Sequence, residues 1–260
     1  MTELTQRTAA TVKAVTAAGG ALVEAGLAWA TNDPVSSSLI GSLFAGVSED
    51  ALVRKLSKRE RARVVTTLGA AKDEIHRRWT AGDDLRDDGF FVSNEEPGGD
   101  SFFEEIADGV IVASQREHQQ RKLQHLGYLV ASIAYESRVD RVTANWALRQ
   151  ASELSWTHYM LLALVDNAEF TLPEHDLGQR PTWQSHSTWE AFSELGERGR
   201  QLMHYDRSGE HSYPNFRDHP GKQKRSPSGQ LLALLLRLDK IPRRDLDAVV
   251  ATLHETAAPQ

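Results

Sequence analysis

The chain has 260 residues, enough for one large domain or two smaller ones with a buried core. It contains no cysteine, which excludes disulfides, thiolate catalysis and cysteine-ligated metal and is typical of a protein in a reducing cytosol. Its formal charge of −6 gives no overall attraction to nucleic acid or anionic lipid, so such binding would need a local basic patch. We therefore expect a cytoplasmic protein.

The N-terminal segment over residues 14–48 is apolar, and only Glu24 and Asp33 in it are charged. Glycine, asparagine and proline interrupt it, so its apolar stretches fall short of the about 20 residues that a membrane span needs. We expect no transmembrane helix, and the start of the chain lacks the pattern of a signal peptide. The segment is predicted to be an alanine-rich helix docked on the body, with membrane contact or self-association as the alternatives.

A capping box opens the next predicted helix, because Ser57 and Glu60 can satisfy each other's free backbone amides. Apolar residues recur behind it at helical spacing and predict a helix over residues 58–79. The basic run over residues 54–63 is predicted to lie on the solvated side of short helices, where it could meet an acidic partner.

The stretch over residues 82–100 combines acidic residues with glycine and proline, a composition typical of a solvated linker. It predicts a division into an N-terminal helical region, residues 1–81, this acidic glycine-rich linker, and a helical domain over residues 101–260.

Further helix starts can be placed in the third region. Ser101 with Glu104 forms a second capping box, and the helix behind it is predicted to run to about residue 135, with a polar waist that is either surface or a break. Other expected starts are Ser155 before a buried helix, Ser187 with Glu190 as a third capping box, Ser226 before Pro227, and Pro242 before the last helix. The fold class is therefore mainly α, a helical bundle with a possible small β-hairpin in the C-terminal third.

Residues 155–238 follow the order buried helix, short helix, strand, polar loop, strand and a leucine-rich helix that opens at Ser226. This order resembles the winged-helix module of bacterial regulators, and the resemblance implies that residues 188–198 occupy the recognition-helix position. That helix carries Glu190, Glu194 and Glu197 against Arg198 alone, which disfavours contact with DNA phosphates. The predicted wing offers basic candidates for duplex DNA binding: Arg207, Arg217, Lys222, Lys224 and Arg225.

The same loop-rich stretch holds the densest group of potential metal ligands, His204, Asp206, His211 and His219, with Glu210 and Asp218 among them. Imidazole and carboxylate groups bind zinc, manganese or iron, and an open coordination position could activate water for hydrolysis. The spacing matches no ligand signature, and a solvated loop explains the same residues. No P-loop, dinucleotide fingerprint or nucleophile elbow occurs, so the sequence assigns no catalytic residue and no cofactor.

These patterns favour a non-catalytic bacterial regulatory or adaptor protein that acts through helix-mediated contacts with a protein partner or a second copy of itself. A winged-helix regulator, a metal-dependent hydrolase and a membrane-interacting protein are the alternatives. Four aromatic residues in polar surroundings could anchor a partner or fold down as local plugs: Phe90, Phe91, Tyr213 and Phe216.

Overall fold

The computed structural model describes residues 56–91, 101–172, 182–197, 201–205 and 223–255. Over these residues the protein is mainly helical and carries one small two-stranded antiparallel sheet towards the C-terminus, which confirms the predicted fold class. The chain divides into two compact units at Ser152 and Glu153. We call them unit 1 and unit 2.

The described elements of unit 1 are the helices α1 (Lys58–Thr80), α2 (Phe102–Arg116), α3 (Gln120–Ile133) and α4 (Arg141–Glu153), of which the last residue belongs to unit 2. Those of unit 2 are α5 (Trp156–Leu164), α6 (Trp183–Gly196), β1 (Met203–Tyr205), β2 (Gln223–Arg225), α7 (Pro227–Leu235), a 3-10 turn (Leu238–Lys240) and α8 (Arg243–His254). No helix among the described residues is both long and apolar enough to cross a membrane. The apolar segment over residues 14–48 lies outside the described residues.

Helices α1 and α3 form the centre of unit 1 and run in the same direction. Gly127 of α3 lies directly against the backbone of α1 at Thr67, and further along Tyr135 donates a hydrogen bond to the carbonyl of Ile75 at 3.0 Å. Every residue of α3 from Leu123 onwards except Gln124 is buried, so α3 is the core helix of the unit.

The helix that follows Ser101 is not continuous to residue 135. Ser101 caps α2 as predicted, but α2 ends at Arg116 and Glu117 takes an extended conformation, so the chain turns before α3 begins at Gln120. Glu117 and Lys122 form a buried ion pair across the turn. The polar waist is therefore a break in the helix.

The first part of the acidic segment, residues 82–91, is described, and Arg86 fixes it to the end of α3. The Arg86 guanidinium is buried and donates hydrogen bonds to the carbonyls of Ile133 and Val139 at 3.3 and 2.8 Å. It also stacks on the ring of Phe90 at 3.9 Å. The division of the whole chain around residues 82–100 stays a prediction.

Unit 2 contains the predicted buried helix, the hairpin and the last two helices. Ser155, Ser226 and Pro242 precede their helices as predicted, and strands β1 and β2 pair with His204 opposite Lys224. Residues 206–222, which join the strands, lie outside the described residues.

The predicted start of α6 at Ser187 is wrong. The helix begins at Trp183, because the Thr182 side chain accepts a hydrogen bond from the backbone N–H of Ser185 at 3.1 Å and caps it one turn earlier. Ser187 lies inside the helix and donates to the carbonyl of Gln184 at 2.9 Å.

Candidate functional site

Helix α7 of unit 2 is mostly buried but exposes one large apolar side chain. Leu232, Ala233 and Leu235 are buried in the core, as is Leu236 just after the helix. Gln230 and Leu234 are exposed, and together with Ala233 and with Arg237, which follows the helix, they line a groove. Leu234 is 49% exposed, which leaves apolar surface available for contact.

Ala233 and Leu234 are the apolar residues that line a solvent-open groove of about 470 Å³, and we call them its floor. The groove is lined by Asp166, Arg225, Gln230, Ala233, Leu234, Arg237 and Asp239. Its centre is therefore apolar and its rim carries two arginines and two aspartates. An apolar floor inside a polar rim is the arrangement found in protein interfaces.

Two ion pairs hold the rim in place. On one side the backbone N–H of Arg225 donates to the Asp166 carboxylate at 2.8 Å, and the guanidinium Nε of Arg225 lies 3.7 Å from the same carboxylate. On the other side Arg237 binds Asp239 through two parallel hydrogen bonds of 3.0 and 2.9 Å. The hydrogen bonds from Arg237 lower the pKa of Asp239, so that carboxylate stays ionised at neutral pH.

The backbone at both sides of the groove is in the left-handed region. Asp166 has a φ of 63° just after α5, and Arg237 has a φ of 50° just after α7. Aspartate tolerates this conformation, whereas for arginine it costs about 1–2 kcal/mol. The two helix ends therefore turn sharply where they contribute their charged side chains to the rim.

A line of hydrogen bonds through His158 ties α5 to α6. The backbone N–H of Ser155 donates to Nδ1 of His158 at 3.1 Å, which leaves the Nε2–H to donate to Glu194 at 3.0 Å. The Ser155 hydroxyl lies 2.7 Å from the same Nδ1 and also caps α5. Serine, histidine and glutamate are the residue types of a hydrolytic triad, but here the serine serves as the helix cap and the histidine as a bridge between two helices.

The predicted metal ligands are mostly outside the described residues. His204 is exposed on β1, and Asp206, His211 and His219 lie in the stretch that is not described. Across the described ranges no group of three potential ligands is close enough to hold a metal ion. The metal site and the hydrolase alternative stay predictions.

The predicted nucleic-acid residues are described at two positions. Lys224 is exposed, whereas Arg225 is half-buried against Asp166. Consecutive strand residues point to opposite faces, so these two side chains do not share a surface. Arg207, Arg217 and Lys222 lie outside the described residues, and a role of the wing in binding DNA stays a prediction.

The aromatic candidates behave differently from one another. Phe90 is buried, and Phe91 packs edge-on to it at a ring separation of 6.0 Å, so this pair acts as a local plug. Tyr213 and Phe216 lie outside the described residues.

Trp183 is the first residue of α6 and is 80% exposed. The sequence did not indicate this exposure, because a single tryptophan at a helix start forms no distinctive pattern.

The groove also escaped sequence reasoning, although its signal is present. Positions 230, 233, 234 and 237 have the spacing of a helix face, but the run from Leu231 to Leu236 is so apolar that its sequence predicts a helix buried on every side.

No protein-family model, curated protein or solved structure matches this chain.

Proposed function

We propose that the chain is a non-catalytic bacterial regulatory or adaptor protein that recognises a segment of a partner protein in the groove along α7. The observation that carries the proposal is the half-exposed Leu234 of α7, which lies in a groove surrounded by paired charged side chains. The lack of cysteine is compatible with work in a reducing cytosol.

The groove suggests the chemistry of the partner segment. Leu234 and Ala233 form an apolar floor that would accept one or two aliphatic or aromatic side chains. Arg237 and Asp239 lie at one side and Arg225 and Asp166 at the other, so the complementary segment carries both an acidic and a basic residue beside its apolar anchor. Because the rim carries both charges, it would orient the bound segment and discriminate between partners, but it would not attract a partner strongly by its net charge.

Photocrosslinking identifies the partner. A photoreactive amino acid is placed at position 234 or 230 of the full chain in its native cells, with position 247 on α8 as the control. Asp247 is exposed in the same unit but does not line the groove. We expect one shared crosslinked species from positions 230 and 234 and none from 247. A second copy of the chain as that species would make the partner the protein itself.

Binding of the purified partner then tests the groove directly. Leu234→Glu is expected to weaken binding at least tenfold, or about 1.4 kcal/mol, since it puts a charge on the apolar floor. Val142→Glu is the matched control, because Val142 is an exposed apolar residue of unit 1 at 77%. Equal affinities for the two variants, or no crosslink specific to the groove, would reject the proposal.

A further inference from the structure

Four helix ends meet at one end of unit 1. Arg63 near the start of α1 donates a hydrogen bond to the carbonyl of Gln115 at the end of α2, at 2.9 Å. The short break before Gln120 keeps the start of α3 at the same place, and Lys122 reaches the carbonyl of Ser152 near the end of α4 at 3.2 Å. We call the residues 57–63, 115–122 and 149–152 the basic end.

The basic end concentrates positive charge in an otherwise acidic chain. Its three segments contain eight lysines and arginines but two glutamates, whereas the whole chain has 30 basic and 36 acidic side chains. Six of the eight cations are exposed: Lys58, Arg59, Arg61, Arg116, Arg121 and Arg149. A seventh, Arg63, is half-buried, and Lys122 is the buried partner of Glu117.

One of the two glutamates, Glu117, is buried against Lys122. Glu60 is partly exposed and accepts a hydrogen bond from the backbone N–H of Ser57 at 2.8 Å as part of the α1 capping box. Glu153, the residue that follows the third segment in the chain, is an exposed acid. The exposed surface stays positive, because its six exposed cations outnumber these carboxylates.

The backbone adds to this potential. Helices α1 and α3 both point their N-termini at the basic end, and the positive end of a helix dipole favours an anion there. The carbonyl of Ser152, at the negative end of α4, is engaged by Lys122.

We propose that the basic end of unit 1 binds the phosphate backbone of duplex nucleic acid. Five of its six exposed cations are arginines, whose planar guanidinium groups match phosphate oxygens in pairs. Lys58 and Arg61 are three residues apart and lie on the same side of α1, whereas Arg59 points to another side of the helix.

The composition of the surface distinguishes duplex nucleic acid from other polyanions. No large hydrophobic side chain is exposed within the three segments, so nothing there would insert into a membrane or anchor an acidic peptide. Helix ends that present arginines without an apolar anchor fit backbone contacts that do not read the base sequence.

Fluorescence anisotropy of the full chain with a labelled random-sequence duplex measures this binding. We expect binding at low salt that weakens about a hundredfold between about 50 and about 200 mM salt, as about four phosphate contacts require. Absence of binding at the lower salt concentration would overturn the proposal. So would tighter binding of a poly-glutamate peptide or of phosphatidylserine vesicles than of the duplex, since either would identify a different partner.

Charge reversal locates the site. The triple variant Arg59→Glu, Arg61→Glu, Arg116→Glu is expected to lose at least tenfold in duplex affinity. Its matched control makes the same change of charge at exposed cations of unit 2, by Lys224→Glu, Arg243→Glu and Arg244→Glu, and is expected to bind as the unchanged protein does. Circular dichroism checks that both variants remain folded. Loss of binding in the control with retention in the first variant would overturn the proposal and assign the contact to unit 2.

Discussion

The ammonium group of Lys122 pairs with the carboxylate of Glu117, and both side chains are almost completely buried. Glu117 also accepts a hydrogen bond from the backbone N–H of Gln119 at 2.8 Å, and Lys122 donates to the carbonyl of Ser152. The pair therefore fixes both the turn between α2 and α3 and the position of the end of α4. A buried charge without its partner is costly, so these two residues should depend strongly on each other.

A double-mutant cycle tests this dependence. Lys122→Met leaves the Glu117 carboxylate buried without its cation, and Glu117→Gln leaves the ammonium in the same state, so each is expected to lower the free energy of unfolding by about 3–5 kcal/mol. The double variant buries no net charge and should recover much of that loss. Urea denaturation followed by circular dichroism measures all four proteins. A double variant as unstable as the sum of the single changes would show that the two groups act independently.

Helix starts were the most predictable part of the fold, because a cap depends on residues three positions apart. Ser57 with Glu60 and Ser101 with Glu104 both form the reciprocal hydrogen bonds that their sequences indicate. The start of α6 was missed because Ser187 with Glu190 satisfies the capping-box pattern, whereas Thr182 has Ser185 three positions on. The local sequence therefore favours the later start over the one that the structure shows.

The candidate sites were less predictable, because they join residues that are distant in the sequence. The basic run before Arg63 was recognised, but it becomes a larger surface through Arg116, Arg121 and Arg149, which the packing of four helices brings to the same end. The groove needed Asp166 and Arg225 to meet beside α7, a contact that neither residue's neighbours signal.

The crossing of α1 and α3 predicts opposite effects for two glycines. A Cβ added at Gly127 would lie 2.3 Å from the backbone oxygen of Thr67, so Gly127→Ala forces the helices apart and should cost about 3 kcal/mol. Gly69 has nothing within 4 Å of an added Cβ and lies inside α1. Gly69→Ala should therefore stabilise the protein by about 1 kcal/mol through helix propensity. Thermal unfolding of both variants is the measurement. Destabilisation of both would contradict the expectation that only Gly127 needs to be glycine.

Asp88 is expected to make stability depend on acid pH. The hydrogen bond from Arg86 lowers the pKa of Asp88, so its contribution to stability is present above the unfolded value of about 3.9 and is lost as pH falls through the folded pKa. The free energy of unfolding of the unchanged protein and of Asp88→Asn should therefore differ near neutral pH and converge in acid. Asp87→Asn changes an exposed neighbouring carboxylate and serves as the control. If the difference in stability between the unchanged protein and Asp88→Asn stayed constant down to about pH 2, ionisation of Asp88 would not be its source.

Tyr135 is expected to make the stability of the protein depend on pH in the alkaline range. Burial raises the pKa of Tyr135 to about 12, and its hydroxyl donates to the Ile75 carbonyl at 3.0 Å. An unfolded tyrosine ionises near pH 10, so the unfolded chain releases this proton first, and the stabilisation by Tyr135 is complete below about pH 10 and lost towards about pH 12.

Tyr135→Phe removes both the hydrogen bond and the ionisation. Below about pH 10 the variant should be less stable than the unchanged protein by about 1 kcal/mol, and this difference should shrink as the pH rises towards about 12. Urea unfolding at a series of pH values measures the difference, while the ultraviolet absorbance of tyrosinate in the folded protein follows the titration itself. A tyrosine that ionises near pH 10 in the folded state, with a difference in stability independent of pH, would show that the hydroxyl of Tyr135 is solvated, which would separate it from the Ile75 carbonyl and from the contact between α1 and α3.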